Sequence, residues 1–197
     1  MLGVSITWLT VFHSASAGVS DGPWKTNLTT GSAESNPYQR ALIAVHGLFA
    51  LNRNEAIYYT ASTDGDGRAL DGHCRYEIAG RDPDARWWSI TAYGPDDYLI
   101  PNPTHRYSVS KTAIARDASG YFAVQVGAGA VGDNAIPVGQ GRFSLTLRLY
   151  NPGPGVARDP AHVALPTLKQ GHLPFSSPRL IPSGLRVSCS STRQLGS

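Results

Sequence analysis

RFSLTLRLY, residues 142–150, decides how the rest of the chain reads. Phe143, Leu145, Leu147 and Leu149 share one parity, and Arg142, Ser144, Thr146, Arg148 and Tyr150 the other. Successive side chains of a strand point to opposite faces, so one face is buried and the other is polar. Strands of this kind belong to antiparallel sheets packed on one side. A second stretch, RWWSITAYGPDDYLIPNPTHRY at 86–107, repeats the pattern, with Trp88, Ile90 and Ala92 on one parity and Ser89 and Thr91 on the other. Gly94-Pro95-Asp96-Asp97 supplies turn chemistry, and Tyr98-Leu99-Ile100 reads as a second extended run. Pro101 and Pro103 end that run, leaving Asn102, His105, Arg106 and Tyr107 as a polar cluster beside an apolar layer.

Working outward, residues 54–61 are rich in aromatic and β-branched types and predict a strand. The Asp-Gly pairs of residues 63–68 predict a hairpin turn, and residues 72–79 the return strand. The turn superficially resembles a calcium loop together with Asp71, but the EF-hand spacing, its terminal Glu and its flanking helices are missing. Further strands are predicted at 108–115, 121–126 and 163–169. Residues 127–141, GAGAVGDNAIPVGQG, form a glycine-rich loop. No helix follows it and it holds no Gly-Lys-Ser/Thr, so it is not a phosphate cradle. Asn36-Pro37 opens the one convincing helix, residues 36–50, with Ala41, Leu42, Val45 and Leu48 on one face. Seven or eight short strands behind one N-terminal helix predict a mainly β fold, an antiparallel jelly-roll-like β-sandwich.

A chain of 197 residues suits one domain with appendages, and its 21 glycines and 14 prolines fit many turns. We divide it into an N-terminal anchor or signal-like segment and linker (1–21), the β-sandwich domain (22–169) and a Ser/Pro-rich basic tail (170–197). The pI near 9.0 does not imply nucleic acid. After Asp159 come Lys169, Arg179, Arg186 and Arg193 with no acid, and subtracting those four charges from the net +3 leaves −1 for the rest. A nucleic-acid surface concentrates its basic charge on a folded face instead.

Residues 2–12, LGVSITWLTVF, are apolar and uncharged but shorter than a bilayer span. They precede Ala15-Ser16-Ala17, a small-x-small cleavage pattern, without the usual basic start. Export to the periplasm or cell envelope is the expectation, with membrane contact only through this segment. Cys74 and Cys189 read either as unrelated thiols or as a disulfide pinning the tail to the sheet, which requires an oxidising compartment.

No nucleophile elbow, metal-spaced histidine pair or cofactor motif is present, so no metal or cofactor is expected. The candidate ligand-binding residues are polar groups set among apolar strands: Glu55, Asn102, Arg106, Tyr107, Asn134, Arg148 and Tyr150. Arginines and tyrosines in a concave face grip carboxylates or sugar hydroxyls. The competing reading is an internal ion pair of Glu55 with Arg106 or Arg148, because buried charge is costly unless paired.

Several blocks together resemble a known family: Asn36-Pro37-Tyr38, Glu55-Ala56-Ile57-Tyr58, Trp87-Trp88-Ser89-Ile90-Thr91-Ala92-Tyr93, Asn102-Pro103 with Arg106-Tyr107-Ser108, and Arg148-Leu149-Tyr150-Asn151-Pro152. They are similar to the bacterial domain of unknown function 1214, over about residues 22–169. The resemblance implies a jelly-roll-like sandwich behind a short membrane anchor or signal, or behind the related 1254-type domain in a longer exported protein. It implies no reaction. Three functions follow as expectations. One is an exported or envelope-anchored module binding a small polar or carbohydrate-like ligand or a partner domain. Another is a small-molecule hydrolase or isomerase using Glu55 with Arg106 or Arg148, and the third is a purely structural envelope module.

Overall fold

The structure is a computed structural model that describes residues 19–26, 54–171 and 189. The helix expected over 36–50, the apolar run 2–12 and most of the tail lie outside those residues. Ten strands form two sheets. β1 (Val19–Asp21), β2 (Trp24–Thr26), β3 (Ala56–Ala61), β5 (Ala85–Tyr93), β6 (Ser108–Ser110) and β9 (Ser144–Pro152) make a six-stranded sheet in the order β1-β2-β3-β9-β5-β6. β4 (Tyr76–Gly80), β7 (Phe122–Gly127), β8 (Ala135–Pro137) and β10 (Thr167–Gln170) make a four-stranded sheet in the order β10-β4-β7-β8. All pairs are antiparallel except β7 with β8. The fold is mainly β, and the one described helix, α1 (Pro154–Arg158), is a single turn after β9.

The alternation in β9 is realised as read: Leu145, Leu147 and Leu149 are fully buried, and Phe143 just before the strand is nearly so. The register sets Leu149 between Ile57 and Trp88, and Leu147 between Tyr59 and Ile90. These inward rows meet Ile78, Phe122, Val124 and Val126 of the second sheet in one apolar cluster. Trp88 stacks on Phe122 across the layers, ring centroids 5.0 Å apart.

Several segments differ from the sequence expectation, among them the strand expected over 108–115, which ends at Ser110. Tyr98-Leu99-Ile100 forms no strand; Leu99 makes an isolated bridge to Tyr93, and Asp97 takes φ 62°, which turns the chain out of extension. The glycine-rich stretch contains β8, whose Ala135, Ile136 and Pro137 are all buried and so show no alternation. Trp24, outside every strand expected from the sequence, is 1% exposed in a hairpin strand, its indole N–H donating to the Pro166 carbonyl at 2.7 Å.

The loop entering β4 is tightly built. Gly72 donates to the Gly141 carbonyl at 2.7 Å, and its own carbonyl accepts from Ala128 at 3.0 Å. A Cβ here would overlap the Gly139 carbonyl oxygen, a backbone atom that no rotamer change can move. Gly72→Ala is expected to cost about 1–3 kcal/mol, measured by denaturant unfolding. Beside it, the Asp71 carboxylate accepts from the His73 backbone at 2.9 Å and its ring at 2.6 Å. Burial alone would raise its pKa. The two His73 contacts and the nearby Arg142 outweigh burial and hold it below the usual 3.8. A carboxyl lowered in the fold stabilises it above the unfolded value and loses that contribution as pH falls through the folded one. Asp71→Asn should therefore be less stable than the parent at neutral pH, with the difference shrinking in acid below pH 3.8.

Cys74 and Cys189 form a disulfide across 115 residues of sequence, with Cα atoms 5.7 Å apart. The Gln170 side-chain amide at the end of β10 also donates to the Cys189 carbonyl. Cys189 is thereby fixed against the β4–β10 edge of the smaller sheet.

Candidate functional site

Inward packing of Trp88, Ile90, Leu147 and Leu149 forces their neighbours onto the outer face of the large sheet. Arg148 lies at the middle, paired in register with Tyr58 on one side and Ser89 on the other. One row away Tyr150 lies between Ala56 and Trp87; in the other direction Thr146 lies between Thr60 and Thr91. Tyr93 pairs with Ser144 beyond that. The face is therefore an arginine set among three tyrosines and a tryptophan, over a floor of small hydroxyl residues.

The contacts fix the guanidinium. Its Nη1 donates to Thr91 Oγ1 at 3.1 Å and its Nη2 to the Tyr93 hydroxyl at 2.6 Å. It lies 5.3 Å from the Tyr93 ring centre and 6.0 Å from that of Tyr58, both within cation–π range. Trp87 and Tyr150 pack at 5.5 Å with their planes tilted by 52°. Burial pushes the Tyr58 phenol up, the neighbouring Tyr150 adds to this, and Arg148 opposes it. Tyr58 therefore remains protonated, and so a potential donor, well above neutral pH.

The other candidates serve elsewhere. Asn102 closes the corner after β5: its amide donates to the carbonyls of Ile100 and Arg106 at 3.2 and 3.1 Å, and its oxygen accepts from the Arg106 backbone and the Thr104 hydroxyl. Arg106 ties this corner to the 128–134 loop through the carbonyls of Gly132 and Asp133. The Tyr107 hydroxyl lies 3.3 Å from His105 Nδ1 in the same corner. Asn134 mimics a strand pair, accepting from the Ala115 N–H at 2.8 Å and donating to the Ala115 carbonyl at 2.7 Å. It also donates to Ala123, on β7. Glu55 is exposed at the head of β3, where its backbone carbonyl accepts from Asn151. The partners of Arg106 and Arg148 are carbonyls, hydroxyls and rings, and no described ion pair joins either to Glu55.

Of the seven sequence candidates, the structure brings Arg148 and Tyr150 together with Tyr58, Trp87 and Tyr93, which sequence reasoning had not selected. Parity was the available signal: once Trp88 is inward, Trp87 and Tyr93 must be outward. A cleft of about 770 Å³ also opens beside the disulfide, between the Asp21–Trp24 hairpin, the 64–68 turn and β10. Arg68 there is held by Asp66 and Gln170, and one Asp64 oxygen accepts from two backbone N–H groups while the other is buried without a partner among the described residues. Among the described residues no group of three His, Cys, Asp or Glu side chains could hold a metal, and no helix is long and apolar enough to cross a membrane.

The fold is similar to that of the VPA0106 protein from Vibrio parahaemolyticus, with TM-score 0.59 and 24% identity over 70% of this chain and 36% of that one. A structure from Burkholderia cenocepacia, titled as an uncharacterized protein, matches with TM-score 0.44 and 11% identity over 87% of this chain and 42% of that one. The chain thus spans less than half the length of either solved structure. No curated protein matches it. The family described as "Protein of unknown function (DUF1214)" matches residues 55–154, 100 of the 197 residues and the span that holds the whole arginine–aromatic face, and the chain belongs to that family.

Proposed function

We propose that the protein is a non-catalytic binding module that takes a small polar, carbohydrate-like ligand on the outer face around Arg148. The observation that carries this reading is the assembly of Tyr58, Trp87, Tyr93 and Tyr150 about one fixed guanidinium whose described partners are all neutral. The C–H-rich face of a sugar ring packs on the negative face of an aromatic ring, while hydroxyls and guanidinium N–H groups meet its polar edge. Acid–base catalysis needs a titratable group within reach of the bound substrate. Glu55 precedes β3 on the parity of the inward Ile57 and Tyr59, not on that of the outward Tyr58, and this supports binding over hydrolysis or isomerisation.

Two layers of short, mostly antiparallel strands around one core support a jelly-roll wrapping of the sandwich. The disulfide and the apolar run before Ala15-Ser16-Ala17 support a periplasmic or envelope location, tethered through the N-terminus. A partner domain, such as the 1254-type domain of a longer relative, is the second occupant considered. The Vibrio protein carries a further 64% of chain beyond the shared region, from its 36% coverage.

A thermal-shift panel of neutral sugars, sugar acids and small organic acids tests the proposal. A ligand should raise the melting temperature of the parent and fail to raise that of Trp87→Ala, whose unliganded melting temperature should stay near the parent's. If folded protein responds to none of them, the ligand reading is lost, and co-purification of one protein partner would replace it.

A further inference from the structure

We infer that the ligand taken by this face carries a carboxylate, as a uronic acid or other sugar acid does, and that Arg148 is the residue that selects it. The inference rests on the binding reading above and narrows it to a chemical class. A guanidinium has five N–H donors. Arg148 spends two of them, on Thr91 and Tyr93, which leaves three. Its electrostatic partners are the rings of Tyr58 and Tyr93, which orient a cation without neutralising it.

Two described arginines are paired with acids, whereas Arg106, like Arg148, is held by neutral groups. Arg116 holds Asp82 through contacts of 2.9, 3.0 and 3.1 Å, and Arg68 holds Asp66. Arg148 is half-buried, fixed by two hydroxyls and has no carboxylate partner among the described residues. Removing a guanidinium partly from water without an anion is unfavourable, and an incoming carboxylate repairs that deficit with up to two parallel N–H···O bonds. A neutral ligand repairs less of it.

The surroundings fit a saccharide carrying that carboxylate better than a bare anion. Tyr58 to Ser89 spans three adjacent strands, about 10 Å across, and Trp87 to Tyr93 spans six residues, about 20 Å along the strands. That area accommodates a short oligosaccharide, with Trp87 and Tyr150 forming a tilted aromatic wall and Thr146 and Thr60 offering hydroxyls. Free phosphate or a small dicarboxylate would leave the aromatic wall unused.

Trigalacturonate and its methyl ester, which differ in charge and in the methyl groups that cap the carboxyl oxygens, are the probes, titrated calorimetrically into the parent protein. The acid should bind about 10- to 100-fold more tightly than the ester, the range expected for a hydrogen bond to a charged group. Salt should weaken the acid and leave the ester nearly unchanged. Arg148→Gln, which removes the charge, should erase most of the difference. Should that variant fold poorly, Tyr93→Phe, which frees the guanidinium from one of its two anchors, should reduce the preference instead. Equal binding of acid and ester, both lost in Trp87→Ala, would overturn the carboxylate inference while leaving the binding face standing. Binding of neither, together with an inert sugar panel, would remove both.

Discussion

Trp88→Ala should lower stability by about 3–5 kcal/mol, while the neighbouring Trp87→Ala should leave it within about 1 kcal/mol. The two tryptophans are adjacent in sequence and opposite in role. Trp88 is wholly buried, pairs in register with Leu149 and stacks on Phe122 of the other sheet. It is one of the side chains that hold the layers together, and its loss opens a cavity in the centre of the shared core. For a domain of this size the expected fall in melting temperature is roughly 6–20 °C. Trp87 is half-buried against Tyr150 on the outer face, so its replacement should cost binding instead. Trp88→Phe sharpens the test. The Trp88 indole N–H is buried without a hydrogen-bond partner among the described residues, and an orphan of this kind costs about 1–3 kcal/mol. Phenylalanine loses ring volume but removes the orphan, so its penalty should be well under half that of alanine. Thermal unfolding that ranked Trp87→Ala as the more damaging change would reverse the assignment of the two faces and with it the site.

That assignment was legible only in part from the chain. β9 and β5 announce themselves because a strand with one buried face must alternate, and Leu145-Leu147-Leu149 against Arg148 and Tyr150 does so without interruption. Alternation fails as a signal where both faces are covered or the strand is too short to show a period. β8 has three residues, all buried, and β1 and β2 have three each. Tyr98-Leu99-Ile100 misled for the opposite reason: β-type residues lay in a row, but the positive φ of Asp97 redirects the chain and the run remains a loop with one bridge.

The site shows the same division. Arg148 and Tyr150 stood out because they are polar residues on a visibly apolar strand. Tyr58, Trp87 and Tyr93 did not, since aromatic residues in strands read as core until the register is known. Asn102 and Asn134 stand out in the sequence as polar groups among apolar strands, but their chemistry is spent on backbone groups of the 100–107 corner and of Ala115 and Ala123. Residue type marked them, and only the three-dimensional arrangement could separate a loop staple from a ligand contact.

Replacing Cys189 with serine should cost about 2–5 kcal/mol, a fall of roughly 4–20 °C in melting temperature. The two cysteines are 115 residues apart, and a crosslink of that length removes a large share of the unfolded chain's freedom. The folded side of the balance matters as well. β10 is an edge strand, held to β4 by its ladder and by the Thr167 hydroxyl on the Ala79 carbonyl. Gly171 donates to the Arg75 carbonyl just beyond it, and Gln170 reaches back to Cys189. Without the bridge, this end keeps those contacts together with Arg68 on Gln170, Gly65 on the Leu168 carbonyl and the buried Leu168 side chain, but loses its one covalent tie, and the edge should fray first. Hydrogen exchange should therefore accelerate at Thr167–Gln170 in Cys189→Ser, while the amides of β5 and β9 remain as slow as the reduced global stability allows. Reductant added to the parent should reproduce both effects, because it removes the same bond without changing a residue. A parent protein indifferent to reductant, with β10 exchange unchanged in the variant, would mean that the tail contributes nothing to the sheet it is bonded to.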